Sequence, residues 1–194
     1  GPGVADPGSV VAISGGTVLI TGTPPVESQS VEMALPPLSI PEGLSCSDLS
    51  VQGQTTMLLP SALGPHCFHD LSIGGGATLT ADGPVKVYVT GAFTASGNTV
   101  IGLPSDPTAM LLFLVSNEQA TFEGSLTGST KFYGGIYAPS ATINISGNAE
   151  VFGSVVGQAV SISGDAQIHY NQALGNLTEP IGLYDTDVLS WREP

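Results

Sequence analysis

Thr142 to Gly153 reads TINISGNAEVFG and Ala159 to Tyr170 reads AVSISGDAQIHY. Laid over each other at an offset of 17, the two match at Ile145/Ile162, Ser146/Ser163, Gly147/Gly164 and Ala149/Ala166. Ile143/Val160, Asn148/Asp165, Glu150/Gln167 and Val151/Ile168 are conservative pairs in the same frame. One unit upstream, at an offset of 19, Ser125 to Tyr137 (SLTGSTKFYGGIY) lies over Asn144 to Val156 (NISGNAEVFGSVV), pairing Leu126/Ile145, Gly128/Gly147, Phe132/Val151, Gly134/Gly153 and Ile136/Val155. A period near 20 residues marks a solenoid, because units so short cannot bury an apolar face alone and must stack. Each unit reads as short strand, Ser-Gly-Asn turn, short strand, Gly, short apolar strand, with inward residues at period 2. The expected fold is all-β: a single-stranded parallel β-helix with coils of about 17–19 residues and irregular capping segments. Apolar residues do not recur every six, which favours a right-handed helix.

Working outward, Ala95 to Ile101 (ASGNTVI) repeats the turn and is followed by Gly102 to Thr108 (GLPSDPT), which reads as a coil with an inserted loop. Ile73 to Val89 fits another coil, and Val10 to Thr21 (VVAISGGTVLIT) reads as two strands around Gly15-Gly16. Prolines 24, 25, 36, 37, 41, 60 and 65 crowd the stretch from Thr23 to Pro65, and such density is incompatible with central strands. Residues 23–70, with Cys46 and Cys67, therefore read as a Pro-rich, disulfide-bearing wrap or cap over the first coil. Residues 171–194 lose the repeat and read as the opposite cap. Gly1-Pro2 has the form of a protease-cleavage scar, and residues 3–194 read as one domain.

The 26 Gly and 15 Pro would suit a disordered chain, but 41% hydrophobic content supplies a core. Charged residues are only 10%, too few for the wet faces of amphipathic helices, so bundles and coiled coils are excluded. The net charge is −13 and the only cations are Lys86, Lys131 and Arg192, so the chain cannot neutralise a row of phosphates. Nucleic acid and anionic membranes are excluded as partners. No apolar run approaches the roughly 20 residues of a membrane span, so a membrane would be reached only through an anchor outside this sequence. Cys46 and Cys67 read as a disulfide that contributes about 3 kcal/mol in the chain-entropy model, which implies an oxidising, extracytoplasmic home. The competing reading uses the run His66-Cys67-Phe68-His69-Asp70 as metal ligands.

Parallel β-helices carry polysaccharide hydrolases and lyases, and hydrolysis needs two carboxylates roughly 5–9.5 Å apart. The candidates are Glu123, Glu150, Asp165 and the pair Asp185/Asp187. Glu150 shares a column with Lys131 and Gln167, which suits a solvated face, and Asp165 replaces Asn148 in the turn, which suits turn chemistry. Asp185 and Asp187 could offer two or three of the six to eight oxygens that calcium takes, and no other cofactor is expected. His169 aligns with Phe152 and reads as an end-cap histidine. Thr78/Thr80, Thr142/Asn144 and Ser161/Ser163 alternate outward in a mixed column, unlike the uniform threonine array of an ice-binding face. The candidates for a binding surface are Tyr133, Tyr137 and the inserted loop with Asp106. Tyr137, which aligns with Val156, fits the core equally well.

The Ser146-Gly-Asn148 turn, the stretch Ser161 to Leu174 (SISGDAQIHYNQAL) and the closing Ser190-Trp-Arg-Glu193 resemble the C-terminal Gly/Ser-rich domain of bacterial type IV pilus-associated, minor-pilin-like surface proteins. Gly134 to Pro139 (GGIYAP) and Gly64 to Ile73 (GPHCFHDLSI) are similar to the same family. The resemblance covers roughly Pro60 to Glu193, with Ile168-His-Tyr170 and Leu174 its most specific element. It implies a pilin-type hydrophobic helix upstream, an exposed role in adhesion or pilus assembly, and no catalytic motif. Pilin subunits, or a glycan or protein of a host or surface, are the partners it implies. The expectation is a non-enzymatic extracellular module, with a carbohydrate-active β-helix enzyme or a passive structural spacer as alternatives.

Overall fold

A computed structural model describes residues 10–14, 35, 37–115, 122–171 and 173–174 of the chain. Gly1-Pro2, Asp185, Asp187 and nearly all of the expected C-terminal cap lie outside the described residues, as do the first residues of the wrap. Thirteen strands follow in order: β1 (Val10–Ser14), β2 (Ser47–Val51), β3 (Thr56–Leu59), β4 (His66–Ile73), β5 (Thr78–Ala81), β6 (Val85–Val89) and β7 (Phe93–Ala95), then β8 (Val100–Gly102), β9 (Met110–Leu114), β10 (Phe122–Leu126), β11 (Lys131–Ile145), β12 (Glu150–Ser163) and β13 (Gln167–Tyr170). Every pairing between them is parallel. The described chain is a β-solenoid of about five turns.

The pairings sort into three ladders, one per face of the coil. Face A carries β3, β5, β8, the first residues of β11 and β12, and β13. Face B carries the start of β4, then β6, β9 and the middles of β11 and β12. Face C carries β2, the end of β4, β7, β10 and the ends of β11 and β12, and β1 lies on it last. Alternation decides what is inside: Leu79, Ile101, Phe132 and Val151 stack inward on face A, each at most 1% exposed. Burying one such side chain contributes about 1.5–3 kcal/mol.

The turn between faces C and A recurs as a column of glycines, Gly53, Gly75, Gly97, Gly128, Gly147 and Gly164, with φ between 70° and 82°. A Cβ at Gly147 would also lie 3.0 Å from the Gly128 carbonyl oxygen, so both conformation and crowding hold glycine here. The spacing of that column is the coil length: 22, 22, 31, 19 and 17 residues. The expected 17–19 is therefore right only for the last two coils. The 31-residue coil carries the inserted loop at its A–B corner and further chain between Val115 and Phe122.

The irregular wrap also ends earlier than residue 70. Ser47 begins regular coil, and prolines 60 and 65 sit in the corner between β3 and β4. Among the residues described just before Ser47, those at 38–46 lie against a side wall. Leu38, Ile40, Leu44 and Cys46 pack against Cys67, Tyr88, Phe113 and Val115, a second apolar cluster outside face B. Cys46 and Cys67 are bonded, which removes the thiolate that the metal-ligand reading of Cys67 required.

Candidate functional site

On face A the outward position after the inward ladder is filled by Tyr133, Phe152 and His169 on three successive coils. Their rings stack, with centroids 4.8 and 4.7 Å apart and planes within 9° and 13° of each other. The spacing is that of neighbouring strands, so the backbone register itself sets the stack. Tyr133 and Phe152 are half-buried and His169 is exposed; Tyr170 beside it is 65% exposed. Rings stacked along the axis cover one another's faces and turn their edges outward. His169 thus ends an aromatic column.

Tyr137 does not join this surface. It follows Tyr88 and Phe113 in the outward column of face B, where Tyr88 and Phe113 stack at 5.0 Å and the wrap packs against the cluster. Burial pushes the Tyr88 and Tyr137 hydroxyls above their ordinary pKa of 10.0. Tyr137 also lines a shallow apolar groove bounded by Leu111, Phe113, Val156 and Leu174. Asp106 is turn chemistry: its carboxylate accepts the Thr108 N–H at 3.0 Å and the Thr108 hydroxyl, capping the short helical turn Pro107–Ala109. Its loop starts at Gly102, paired with Tyr133.

Among the enzyme candidates, Glu150 lies 3.7 Å from Lys131 across neighbouring coils, an exposed pair of the kind that contributes about 0–1 kcal/mol. Asp165 sits in its turn, where its N–H donates to the Gly147 carbonyl at 2.8 Å. The Glu123 side chain, Asp185 and Asp187 lie outside the described residues. Thr78 and Thr80 belong to face A, whereas Thr142, Asn144, Ser161 and Ser163 belong to face C, so they form no common threonine face.

A cluster forms at the B–C corner, of which sequence reasoning offered His69 and Asp70 as metal ligands but missed Asp48. Asp48, His69 and Asp70 are exposed, and each places a ligand atom within 4.8 Å of the others, a set of donors that suits a divalent cation. The carboxylates have backbone tasks as well: Asp48 accepts the Asp70 N–H at 3.2 Å and Asp70 accepts the Ala92 N–H at 2.7 Å. His69 pairs with the Thr90 hydroxyl at 3.3 Å, while His66 turns to the Pro60 carbonyl at 3.1 Å and takes no part. The signal was the spacing: Asp48 and Asp70 are 22 apart, one early coil, and a search at 17–19 misses them.

A parallel β-solenoid with one sidewall strapped by a disulfide is the class that this geometry defines. The chain belongs to DUF7305, a domain family of unknown function, whose match spans residues 69–177, more than half of the sequence. No curated protein and no solved structure matches it. The disulfide is compatible with an extracellular or secreted protein, and among the described residues no helix is long and apolar enough to cross a membrane.

Proposed function

We propose that this domain is a non-enzymatic extracellular recognition module of a bacterial surface protein, acting in adhesion or pilus assembly, and that it meets a protein partner along the aromatic column of face A. The observation that carries this reading is the Tyr133–Phe152–His169 stack. Three coils fix it, so little side-chain entropy is lost on docking. Tyrosine is a frequent energetic anchor of protein interfaces. A sugar ring stacks on an aromatic face, and here each inner face is covered by a neighbouring ring. A protein surface, from a pilin subunit or a host, therefore fits the column better than a glycan. The resemblance to pilus-associated proteins supports the same location.

Hydrolase chemistry has weaker support. Asp48 and Asp70 sit exposed at a corner with an oxygen each committed to a backbone N–H, and among the described residues the face B groove is lined by no carboxylate. The test is a binding screen of the folded domain against pilin subunits, host-matrix proteins and glycans. Saturable binding to a protein, weakened at least tenfold by Tyr133→Ala with His169→Ala, is the expected result. Binding to glycans alone would overturn the choice of partner, and silence across the screen would leave a structural spacer.

A further inference from the structure

Three coils meet at the B–C corner. Asp48 comes from β2 on the first, His69 and Asp70 from the bend inside β4 on the second, and Thr90, Gly91 and Ala92 follow β6 on the third. The ligand atoms of Asp48, His69 and Asp70 lie within 4.8 Å of one another, and all three residues are exposed, so an ion can reach them without disturbing the core. Zinc holds oxygen and nitrogen ligands at about 2.0–2.2 Å, which sets them no more than about 4.4 Å apart. At most a small side-chain rotation closes the set.

The ligands are already oriented. Asp70 Oδ1 accepts the Ala92 N–H at 2.7 Å and Asp48 Oδ1 accepts the Asp70 N–H at 3.2 Å, while among the described residues nothing takes the second oxygen of either. His69 Nδ1 faces the Thr90 hydroxyl at 3.3 Å, and in the tautomer that donates this bond Nε2 carries the lone pair. A hydrogen bond at the other ring nitrogen is what fixes a metal-ligating imidazole. Gly91, on the third coil, leaves the room. Its φ is not positive, so the backbone does not call for glycine, yet a Cβ there would lie 2.7 Å from the His69 carbonyl oxygen, 3.0 Å from Cε1 of its ring and closer still to Asp70 Oδ1.

Charge points the same way. Two carboxylates share the corner, and the described Lys residues stand elsewhere: Lys131 beside Glu150 on face A, and Lys86 toward the far end of face B. A divalent cation offsets both carboxylates. The imidazole favours a transition ion over calcium or magnesium, which take oxygen ligands.

We propose that Asp48, His69 and Asp70 bind a divalent transition ion of the zinc type, with water completing its coordination, and that the ion clips the first coil to the second. β4 is then pinned twice, by the sulfur strap at Cys67 and by the metal at His69 and Asp70.

The test titrates zinc chloride into the chelator-treated full chain at neutral pH, read by calorimetry. Saturable binding of one ion per chain is expected, weakened about tenfold or more by Asp48→Asn and by His69→Gln. His66→Gln should leave it unchanged, because His66 turns to the Pro60 carbonyl. No saturable binding, binding that survives both changes in the cluster, or loss with His66→Gln would overturn the proposal. The unaltered protein supplies the independent reading: zinc should shift the ring resonances of His69, leave those of His66 in place and slow exchange of the Asp70 amide. An unshifted His69 ring overturns the site, and unchanged exchange at Asp70 overturns the clip.

Discussion

Thr99 and Thr130 are fully buried polar residues, and their hydroxyls lie 3.0 Å apart on consecutive coils. Thr130 donates its one hydroxyl hydrogen to the Thr127 carbonyl at 2.7 Å, so Thr99 is the donor within the pair. The two are therefore not equivalent. Thr99→Val keeps the shape and the Thr130–Thr127 bond, and should cost about 0.5–1.5 kcal/mol in urea unfolding. Thr130→Val leaves the Thr99 hydrogen buried without its acceptor and should cost about 1–3 kcal/mol; equal losses would contradict this assignment. Asp82 supplies the pH dependence at this scale. Its carboxylate accepts the Ser61 N–H at 2.7 Å, and the bonds from the Ser61 backbone and then its side chain hold its pKa below the usual 3.8. A carboxyl depressed in the folded state adds stability above its unfolded pKa, and loses it as pH falls through the lower folded value. A carbon-13 titration should place the Asp82 midpoint below 3.8, and Asp82→Asn should remove that part of the acid loss.

The wrap and the coils show what a sequence discloses and what it hides. The offsets of 17 and 19 gave the true partners in the last coils, down to Phe132 on Val151 and Phe152 on His169. Neighbouring turns there are nearly equal in length, so like falls on like. The first coils run to 22 residues with weaker likeness, and prolines 60 and 65 disguised a regular turn as irregular chain. Tyr133 and Tyr137 look like partners four residues apart, but the strand turns a corner at Gly134, where a Cβ would lie 2.4 Å from the Met110 carbonyl oxygen. That crowding is invisible without the preceding coil. The wrap itself is testable: Cys46→Ser with Cys67→Ser should cost about 2–4 kcal/mol. The same change should loosen the cover of face B and bring the Tyr88 and Tyr137 midpoints back toward 10, as read by tyrosinate absorbance. In the native protein, tyrosines whose pKa is raised by folding give stability in full below pH 10 and lose it as pH rises through the raised values.

For the whole molecule, a charge of −13 carried on 194 residues is the dominant long-range force. Only three cations oppose it, and Lys131 is already beside Glu150. Raising ionic strength from 0.01 to 0.15 M shortens the screening length from about 30 to about 8 Å. If this relieves about 1 kcal/mol of self-repulsion, the melting temperature should rise by about 2–4 °C, whereas a fall would mean that attractive ion pairs outweigh the repulsion.

The bond between Cys46 and Cys67 also decides how the domain answers tension. Once β1 has parted from β12, a pull arriving from the N-terminal side reaches Cys46, crosses the sulfurs and enters β4 directly, so the 21-residue separation between them stays slack. About 70 Å of contour is thereby held in reserve. A reductant, more than force, would release it, giving the protein two different extensibilities according to the redox state of its surroundings.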